Sequence, residues 1–514
     1  MIKADSITEA ENIANVELSK ISAWAKDNKI RFNEQKSKVM LLTRRKRKEQ
    51  KEIEIYLNNT PLFKVQGVKY LGIIFDSTLS FREHINYMAE KCTKLIFALS
   101  KSAKLNWGLK HAALKIIYTG AILPLLLYGA PVWKKAMDKA SYKLKLLRVQ
   151  RLINIRIAKS YRTVSNEALC ILTGLTPIAI KIEETIQFYE YIRGSTREKT
   201  LVDSDMEVKY WHHPAETITF ITEDNEETST IRIFTDGSKS EHGVGAGIVI
   251  FKSGHLINSL KYRLNKRCTN NQAEQLAILR ALEFTANIET EDKTATIYTD
   301  SRMTLDSLKN SKIHTYLIEV IRRKVAEMGE IKWKIQFCWV KAHAGIQGNE
   351  IADTLAKEAA TNQDIIESYE KVPKSVVLSE LGGISVEKWQ GEWDKTTKGA
   401  ITKEYFPVVT ERLKIKINIS QNFTTMVTGH GNIRSYLHRF KISETPICPC
   451  GTTDQTIHHL LFQCKLLNKE RDNLMSTVLK TDVWPISKDK LIRKHLKIFA
   501  RFTNEISFNK LKGV

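Results

Sequence analysis

Two stretches of the chain end a run of β-branched and aromatic residues on Thr-Asp followed by a small residue: IRIFTDGS at 231–238 and TATIYTDS at 294–301. Such runs are typical of strands, and strands buried on both faces read as continuous apolar segments. An acid that ends a buried strand lies at the carboxyl edge of the sheet, where the sites of α/β proteins form. The repeated pattern therefore predicts that Asp236 and Asp300 meet at one edge.

Between residues 229 and 362 the hydrophobic period alternates between strand and helix. Three strand-like segments come first, and helices then separate the remaining strands, which predicts one mixed-sheet domain. The other segments are mainly helical in period, and 514 residues are too many for one core. The predicted fold class is therefore α/β multidomain.

Two further acids are placed to join the first pair: Glu274 near the start of one predicted helix, and Asp353 in the first turns of another. Four carboxylates at one edge repel each other and have raised pKa values unless divalent cations neutralise them. Oxygen ligands suit hard cations. The sequence therefore predicts Mg²⁺ or Mn²⁺ at Asp236, Glu274, Asp300 and Asp353.

Each acid also has a purely structural explanation. Asp236 fits a turn, and Glu274 fits the third position of a cap begun by Asn271. Asp353 suits a helix dipole, and Asp300 suits the cap of the helix that follows it. All four together, in this order of strands and helices, favour a functional cluster.

The stretches that carry these acids are FTDGS at 234–238, TNNQAE at 269–274, IYTDS at 297–301 and VKAHAGIQGNEIADTLAKEAA at 340–360. They resemble the four signature stretches of type 1 ribonuclease H. The resemblance implies a five-stranded mixed sheet with helices, and a metal-dependent endonuclease that cleaves the RNA strand of RNA/DNA hybrids with two Mg²⁺ or Mn²⁺ ions. It makes the four acids the metal ligands, and His343 a group that shuttles protons or helps product release.

The same resemblance implies which residues contact the substrate: Gly237, Ser238, Thr269, Asn270 and Asn271. The asparagines match positions at the minor groove and the threonine a position at a DNA phosphate. Local turn and cap chemistry explains the asparagines equally well, and a structural role in its loop explains His343. A basic insertion found before the last strand of many cellular members is absent, so we expect the flanking segments to help hold the substrate.

Residues 1 to about 190 carry a second resemblance, through NKIRFNEQKSKVMLLT, VKYLGIIFD, ILPLLLYGAPVW and LLRVQRLINIRIAKSYRTVSNEALCILTGLTPI. They are similar to the end of the reverse-transcriptase palm and the following thumb in pol proteins of jockey-like non-LTR retrotransposons. The implied domains are a truncated palm remnant at 1–80 and an α-rich thumb and connection at 81–198. The catalytic Asp-Asp pair of that palm would precede AENIANVELSKI, so we expect no polymerase site. The acidic and polar segment 199–228 predicts a linker.

The segment CPCGTTDQTIHHLLFQC at 448–464 supplies three thiols and an imidazole, from Cys448, Cys450, His459 and Cys464. This set suits a tetrahedral, structural Zn²⁺, and the same pol proteins often end in a Cys/His knuckle. The adjacent His458 competes with His459, which matches the pattern His-x-x-x-x-Cys. The alternative is that these residues are ordinary buried core.

The segment 363–440 is predicted to be a helical linker, and 441–514 to hold the zinc knuckle and C-terminal helices. The stretch GHGNIRSYLHRF at 429–440 is basic and aromatic, which suits contact with phosphates and bases.

The charge of the chain indicates a polyanionic partner, since 80 Lys and Arg face 57 Asp and Glu for a net charge of +23. An RNA/DNA hybrid, with an RNA template as a further candidate, fits this balance, although a basic surface kept for solubility would look the same. Seven scattered cysteines indicate an intracellular location, nucleus or cytoplasm. The most apolar stretch, 121–133, is too short for a membrane span and contains two prolines. The alternative function is a non-catalytic nucleic-acid-binding remnant, and the oligomeric state stays open.

Overall fold

The computed structural model describes residues 2–42, 53–102, 110–193, 202–203, 205–206, 208, 213–221, 229–508 and 511, with the side chains of 100–102 left aside. The chain forms two compact units. The central unit comprises residues 187–383, and the flanking unit comprises residues 1–186 together with 384–514. Most of the predicted linker 199–228 lies outside the described residues.

The N-terminal part of the flanking unit is mainly helical, as predicted, with three pairs of short strands. Its helices are α1 (Ile7–Asp27), α2 (Arg82–Ser102), α3 (His111–Ile117), α4 (Leu123–Leu127), α5 (Ala140–Ile157), α6 (Asn166–Thr173) and α7 (Ile178–Arg193). The strands are β1 (Lys38–Val39), which pairs with β4 (Phe63–Lys64), β2 (Tyr56–Leu57) with β3 (Thr60–Pro61), and β5 (Gly67–Tyr70) with β6 (Ile73–Asp76).

Helix α6 shows how the sequence sets its own ends. The Ser165 side chain accepts a hydrogen bond from the Ala168 N–H and caps its start. Gly174 ends it in the left-handed conformation at φ 62°.

The central unit is built on a mixed sheet. Its strands are β7 (Val202–Asp203), β8 (Thr219–Ile221), β9 (Ile231–Lys239), β10 (Val244–Lys252), β11 (His255–Leu264), β12 (Thr294–Thr299), β13 (Lys334–Trp339), β14 (Glu367–Tyr369) and β15 (Val372–Pro373). Its helices are α8 (Asn270–Thr285), α9 (Arg302–Lys309), α10 (Tyr316–Glu330) and α11 (Gln347–Thr361). The strand order is β14-β11-β10-β9-β12-β13-β8.

The five strands β9 to β13 form the predicted five-stranded core, and the α/β fold class is confirmed. Strands β9, β10 and β11 pair antiparallel, whereas β12 pairs parallel with β9 and β13 parallel with β12. Alternate residues of β9 serve two cores: Ile233 packs in the one that includes α8 and α10, and Phe234 in the one that includes Ala352 of α11. The sheet is therefore covered on both faces.

Two edge strands were not predicted. Strand β14 pairs with β11, and β8 pairs with β13. Strand β8 lies inside the segment 199–228 that was predicted to be a linker: the short run Thr219–Ile221 completes the exposed edge of β13 even though its surroundings are polar. The linker assignment stays a prediction.

The C-terminal segment is helical and belongs to the flanking unit from residue 384 onward. Its helices are α12 (Lys374–Lys395), α13 (Ala400–Tyr405), α14 (Val409–Lys414), α15 (Gln421–Thr428), α16 (Arg434–Arg439), α17 (Ile457–Phe462), α18 (Asn468–Val478) and α19 (Lys488–Glu505). One core joins Leu169 of α6 to Trp393, Phe423, Leu461 and Phe499. The boundaries at 80, 198, 362 and 440 stay predictions, but this shared core was not foreseen from the sequence.

Within the described part of the chain, none of the helices combines the length and apolar character that crossing a membrane requires.

Candidate active site

Asp236 and Asp300 lie side by side because of the strand register. Strand β9 pairs parallel with β12, with Thr235 opposite Thr299. Each aspartate is the next residue after this pair, so both follow the same rung of the ladder. Asp236 is buried and lies opposite Gly247 of β10, and Asp300 is half-buried at the end of β12.

Glu274 reaches the same edge from α8. The helix can come this close because Gly237 carries no side chain: a Cβ there would lie 2.6 Å from the backbone N of Glu274. Carboxylate oxygens of Asp236, Glu274 and Asp300 all lie within 4.8 Å of one another. These three residues form the acidic cluster.

Asp353 and His343 lie nearby but outside this group. The Asp353 carboxylate accepts a hydrogen bond of 2.6 Å from Lys357 Nζ, one helical turn further along α11. Its charge nevertheless raises the pKa of Asp236 and of Asp300. His343 is exposed in the loop before α11, with φ 50°, and it offsets part of the rise that burial causes in the pKa of Asp300. The structure thus brings three predicted acids together and holds the fourth on a lysine.

The turn and cap roles that the sequence offered for these acids do not match the observed helix caps and strands. Thr269, not Asn271, caps α8, and Gln272 closes its capping box. Ser301 caps α9, so Asp300 has no capping role there. Asp236 lies within a strand, not in a turn. Asp353 is the seventh residue of α11, beyond the first turn, where an acid favours the helix dipole.

Burial and mutual repulsion raise the pKa values of the acidic cluster. Burial, together with the charges of Asp300 and Asp353, raises the pKa of Asp236 to about 7. Burial, then Asp236 and Asp300, raises the pKa of Glu274 well above its ordinary value. Burial also raises the pKa of Asp300. Without a cation, this edge of the sheet therefore holds protons at neutral pH.

Glu274 Oε2 is buried and meets no hydrogen-bond donor among the described residues. The neighbouring Asp236 carboxylate is an acceptor as well, so the two groups can hydrogen-bond only by sharing a proton. An unpartnered buried carboxylate oxygen is costly, and it is the arrangement that a bound cation would relieve.

Two residues that support the cluster were missed. The buried Asn349 donates a hydrogen bond that lowers the pKa of Asp300. Trp339 Nε1 donates to the backbone oxygen of Asp300 at 3.1 Å, and the Arg302 guanidinium lies 3.9 Å from the Trp339 ring centre. Asn349 is part of the stretch GNEIAD around Asp353, and this position was its only signal in the sequence.

The residues predicted to contact substrate lie around the start of α8 and the end of β9. Asn270 Nδ2 donates to Glu274 Oε1 at 3.4 Å, and Asn271 Nδ2 to Met303 Sδ at 3.9 Å. Thr269 is committed to the capping box, while Gly237 and Ser238 follow Asp236 on β9. All five therefore flank the acidic cluster.

A second group of side chains that could hold a metal ion lies in the flanking unit. Ligand atoms of Cys448, Cys450, His459 and Cys464 all lie within 4.8 Å of one another. The Sγ atoms of Cys448 and Cys464 are 3.7 Å apart, and Cys450 Sγ is 3.2 Å from His459 Nε2. His458 is exposed and packs on Phe462 instead. We call these four residues the cysteine cluster.

The strand order and the acids at its edge define the central domain as a ribonuclease H-type α/β fold. The RNase H family model matches residues 228–361. The ribonuclease H of Rippkaea orientalis is 31% identical over 163 residues, which cover 28% of this chain and 96% of that protein. The chain therefore belongs to the ribonuclease H family through this domain.

The chain is also similar to pol polyproteins of type-1 retrotransposable elements R1. The protein named R1 4 of Nasonia vitripennis is 34% identical over 148 residues, which cover 29% of this chain and 37% of that protein. The R1 protein of Bradysia coprophila is 20% identical over 421 residues, which cover 81% of this chain and 26% of that protein. The chain thus spans well under half the length of these retrotransposon relatives, and the predicted resemblance to non-LTR pol proteins is confirmed.

Proposed function

We propose that this chain is an endonuclease that cleaves the RNA strand of RNA/DNA hybrids and depends on a divalent cation. The observation that carries the proposal is the convergence of Asp236, Glu274 and Asp300 within 4.8 Å, with Glu274 Oε2 buried and unpartnered. Binding a nucleic acid requires no such cluster, since carboxylates repel phosphates. Membership of the ribonuclease H family supports the same chemistry.

The donor set fits a hard cation. It consists of carboxylate oxygens, which suit Mg²⁺ or Mn²⁺ rather than softer metals. Asp236, Glu274 and Asp300 would hold the metal, and Asp353 would join them on release of Lys357. When two such ions are bound, they supply an activated water and stabilise the leaving oxygen of the phosphodiester.

The chain's own residues prepare this site. Asp236 and Glu274 would release the proton they share if a cation bound between them. Asn270 and Asn349 donate to Glu274 and Asp300 and so fix the direction of these carboxylates. His343, exposed in its loop near Asp300, would help to shuttle protons or to release product.

Recognition of the hybrid is assigned to the start of α8. Asn270 and Asn271 lie next to Glu274, within reach of a minor groove that presents 2′-hydroxyl groups on the RNA strand. Gly237 and Ser238 present backbone on the other side of Asp236. A protein reading the 2′-hydroxyl should leave duplex DNA intact.

Zinc is proposed for the cysteine cluster in a structural role. Zinc–sulfur bonds of about 2.3 Å in a tetrahedron put neighbouring sulfurs about 3.8 Å apart, close to the 3.7 Å between the Sγ atoms of Cys448 and Cys464. Thr453 Oγ1 lies 2.9 Å from His459 Nδ1, which leaves Nε2 to face the thiols.

All seven cysteines are described and no disulfide joins them, which supports an intracellular location, nucleus or cytoplasm.

The test compares cleavage of a labelled RNA/DNA hybrid and of duplex DNA of the same sequence, with and without Mg²⁺. The wild-type chain should cut only the RNA of the hybrid, and Asp236→Asn should lose this cleavage. The matched control is Asp292→Asn, because Asp292 is an exposed acid of the same domain that hydrogen-bonds Thr294 outside the cluster. Cleavage by Asp236→Asn at the wild-type rate would refute the assignment.

The alternative is a non-catalytic nucleic-acid-binding remnant of a retroelement pol protein. It predicts hybrid binding without cleavage at any Mg²⁺ or Mn²⁺ concentration, and no stabilisation of the folded chain by these ions. The intact acidic cluster favours the enzyme.

A further inference from the structure

A basic cleft lies in the flanking unit. Its lining includes no residue of the acidic cluster or of the cysteine cluster. Its volume is about 610 Å³, and it is lined by the start of α6, the turn before α13, the end of α15 and the end of α16. The charged side chains in its wall are Arg151, Glu167, Lys398 and Arg439, together with His430. We call this the basic cleft.

The lining residues of the cleft carry more positive than negative charge. Arg151 is held in place by a 2.7 Å bond from NH1 to Asn166 Oδ1 and by the Arg162 carbonyl, neither of which is anionic. Glu167 is the single acid among the lining residues, and its carboxylate lies 3.9 Å from Lys398 Nζ. Three cations thus face one carboxylate, which is the electrostatic pattern of a polyanion site.

An aromatic series runs along α16 from the wall of the cleft. The His430 ring lies 4.7 Å from the Tyr436 ring, and the Tyr436 ring 5.1 Å from that of Phe440. Phe440 is 52% exposed, and the Arg439 guanidinium lies 5.9 Å from its ring centre. Basic side chains that interleave with exposed rings are the means by which proteins hold unpaired bases and their phosphates.

We propose that the basic cleft binds a single-stranded polynucleotide. The cations Arg151, Lys398 and Arg439 would contact its phosphates, and Phe440 would stack on an unpaired base. A duplex hides its base faces, and an acidic protein segment has no use for the exposed Phe440 ring beside Arg439, so a single strand fits both the charge and the ring. This proposal does not rest on the nuclease, because every residue it uses lies in the other unit.

The test measures binding of fluorescent single-stranded RNA and DNA of equal sequence to the full chain by anisotropy, without added Mg²⁺, over a range of salt. The charge variant is Lys398→Gln with Arg439→Gln, since both side chains are exposed. Its matched control is Lys480→Gln with Lys497→Gln, two exposed lysines of the same unit that do not line the cleft. Equal thermal unfolding of all variants establishes that each folds.

Loss of two phosphate contacts should lower the slope of log K against log salt by about 1.4 and weaken binding about 25-fold at 0.1 M salt. The control should keep the wild-type slope. Phe440→Leu should weaken binding between about five- and a hundredfold at an unchanged slope, because stacking involves no counterion release. Tighter binding of one of the two probes would show whether the site prefers RNA or DNA, and either result supports the proposal.

Wild-type affinity and slope in the charge variant would overturn the proposal, and so would an equal loss in the control. Polyglutamate that competes as well as the oligonucleotides, with no effect of Phe440→Leu, would overturn it in favour of an acidic protein partner.

Discussion

Replacing Asp236 with Asn should stabilise the folded chain when no divalent cation is present. Asp236 is 6% exposed, and burial with the charges of Asp300 and Asp353 raises its pKa from 3.8 to about 7. The unfolded chain releases this proton near pH 4, whereas the folded chain keeps it until about pH 7. Because the folded state binds more protons in this window, the free energy of unfolding falls as pH rises from about 4 to about 7.

The magnitude follows from the size of the pKa change. A rise from 3.8 to about 7 corresponds to about 4 kcal/mol of lost stability above pH 7. Glu274 titrates together with Asp236 and can keep the proton that the pair shares, so part of this cost is relieved. We expect Asp236→Asn to be more stable than wild type by about 2 to 4 kcal/mol at pH 8 without metal, and equally stable at pH 4.

Urea unfolding followed by circular dichroism at pH 4 and pH 8 measures the difference, and amide hydrogen exchange in β9 and α8 shows that it arises at the site. Saturating Mg²⁺ should reverse the order, because the wild type gains binding energy that the variant loses. Asp292→Asn is a control that should change the free energy of unfolding in the opposite direction. Hydrogen bonds from Thr230 and Thr294 lower the pKa of Asp292, so removing this carboxylate should reduce stability at pH 8. An Asp236→Asn chain no more stable than wild type at pH 8 without metal would refute the reasoning.

Three further outcomes are expected. Gly237→Ala should lose at least about 2 kcal/mol in urea unfolding and bind Mg²⁺ more weakly by calorimetry, because its Cβ would lie 2.6 Å from the backbone of α8. Lys357→Met should bind Mg²⁺ more tightly in the same titration, since it frees Asp353 from its 2.6 Å ion pair; unchanged affinity would exclude Asp353 as a ligand. Burial alone would raise the pKa of Cys450, but hydrogen bonds from Thr452 lower it to about 6, so in metal-stripped protein iodoacetamide should modify Cys450 first at pH 7, and added Zn²⁺ should block the reaction.

The sequence predicted the meeting of Asp236 and Asp300 because each acid follows a strand-like run that can be recognised locally. Both acids end buried runs of similar composition, and parallel pairing places equivalent residues on one rung. Glu274 was harder, since its approach depends on the missing side chain of Gly237 and on a cap at Thr269, and the sequence analysis assigned neither role. The helix pattern therefore placed Glu274 near the acids, but the packing that brings it within 4.8 Å of them was not visible in the sequence.

Long-range packing was not predictable from local patterns. The core that joins Leu169 to Trp393, Phe423 and Phe499 brings together residues more than two hundred positions apart. Each of their helices has its own apolar face, and nothing in the period of one helix identifies its neighbour. The short edge strand β8 was missed for a related reason, because three residues carry too little periodicity to reveal a pairing that β13 provides.

The position of Asp353 depends on long-range packing, whereas its ion-pair partner depends on local helical spacing. Its place on α11 is fixed by close packing, because a Cβ at Gly247 of β10 would lie 2.1 Å from the Ala352 carbonyl oxygen. Its partner is fixed by helical spacing, since Lys357 follows four residues later. That lysine is 59% exposed, and exposed ion pairs contribute at most about 1 kcal/mol. Under the proposed function, a divalent cation among the four carboxylates would gain far more by electrostatics, so it would displace the ion pair that the metal-free chain forms.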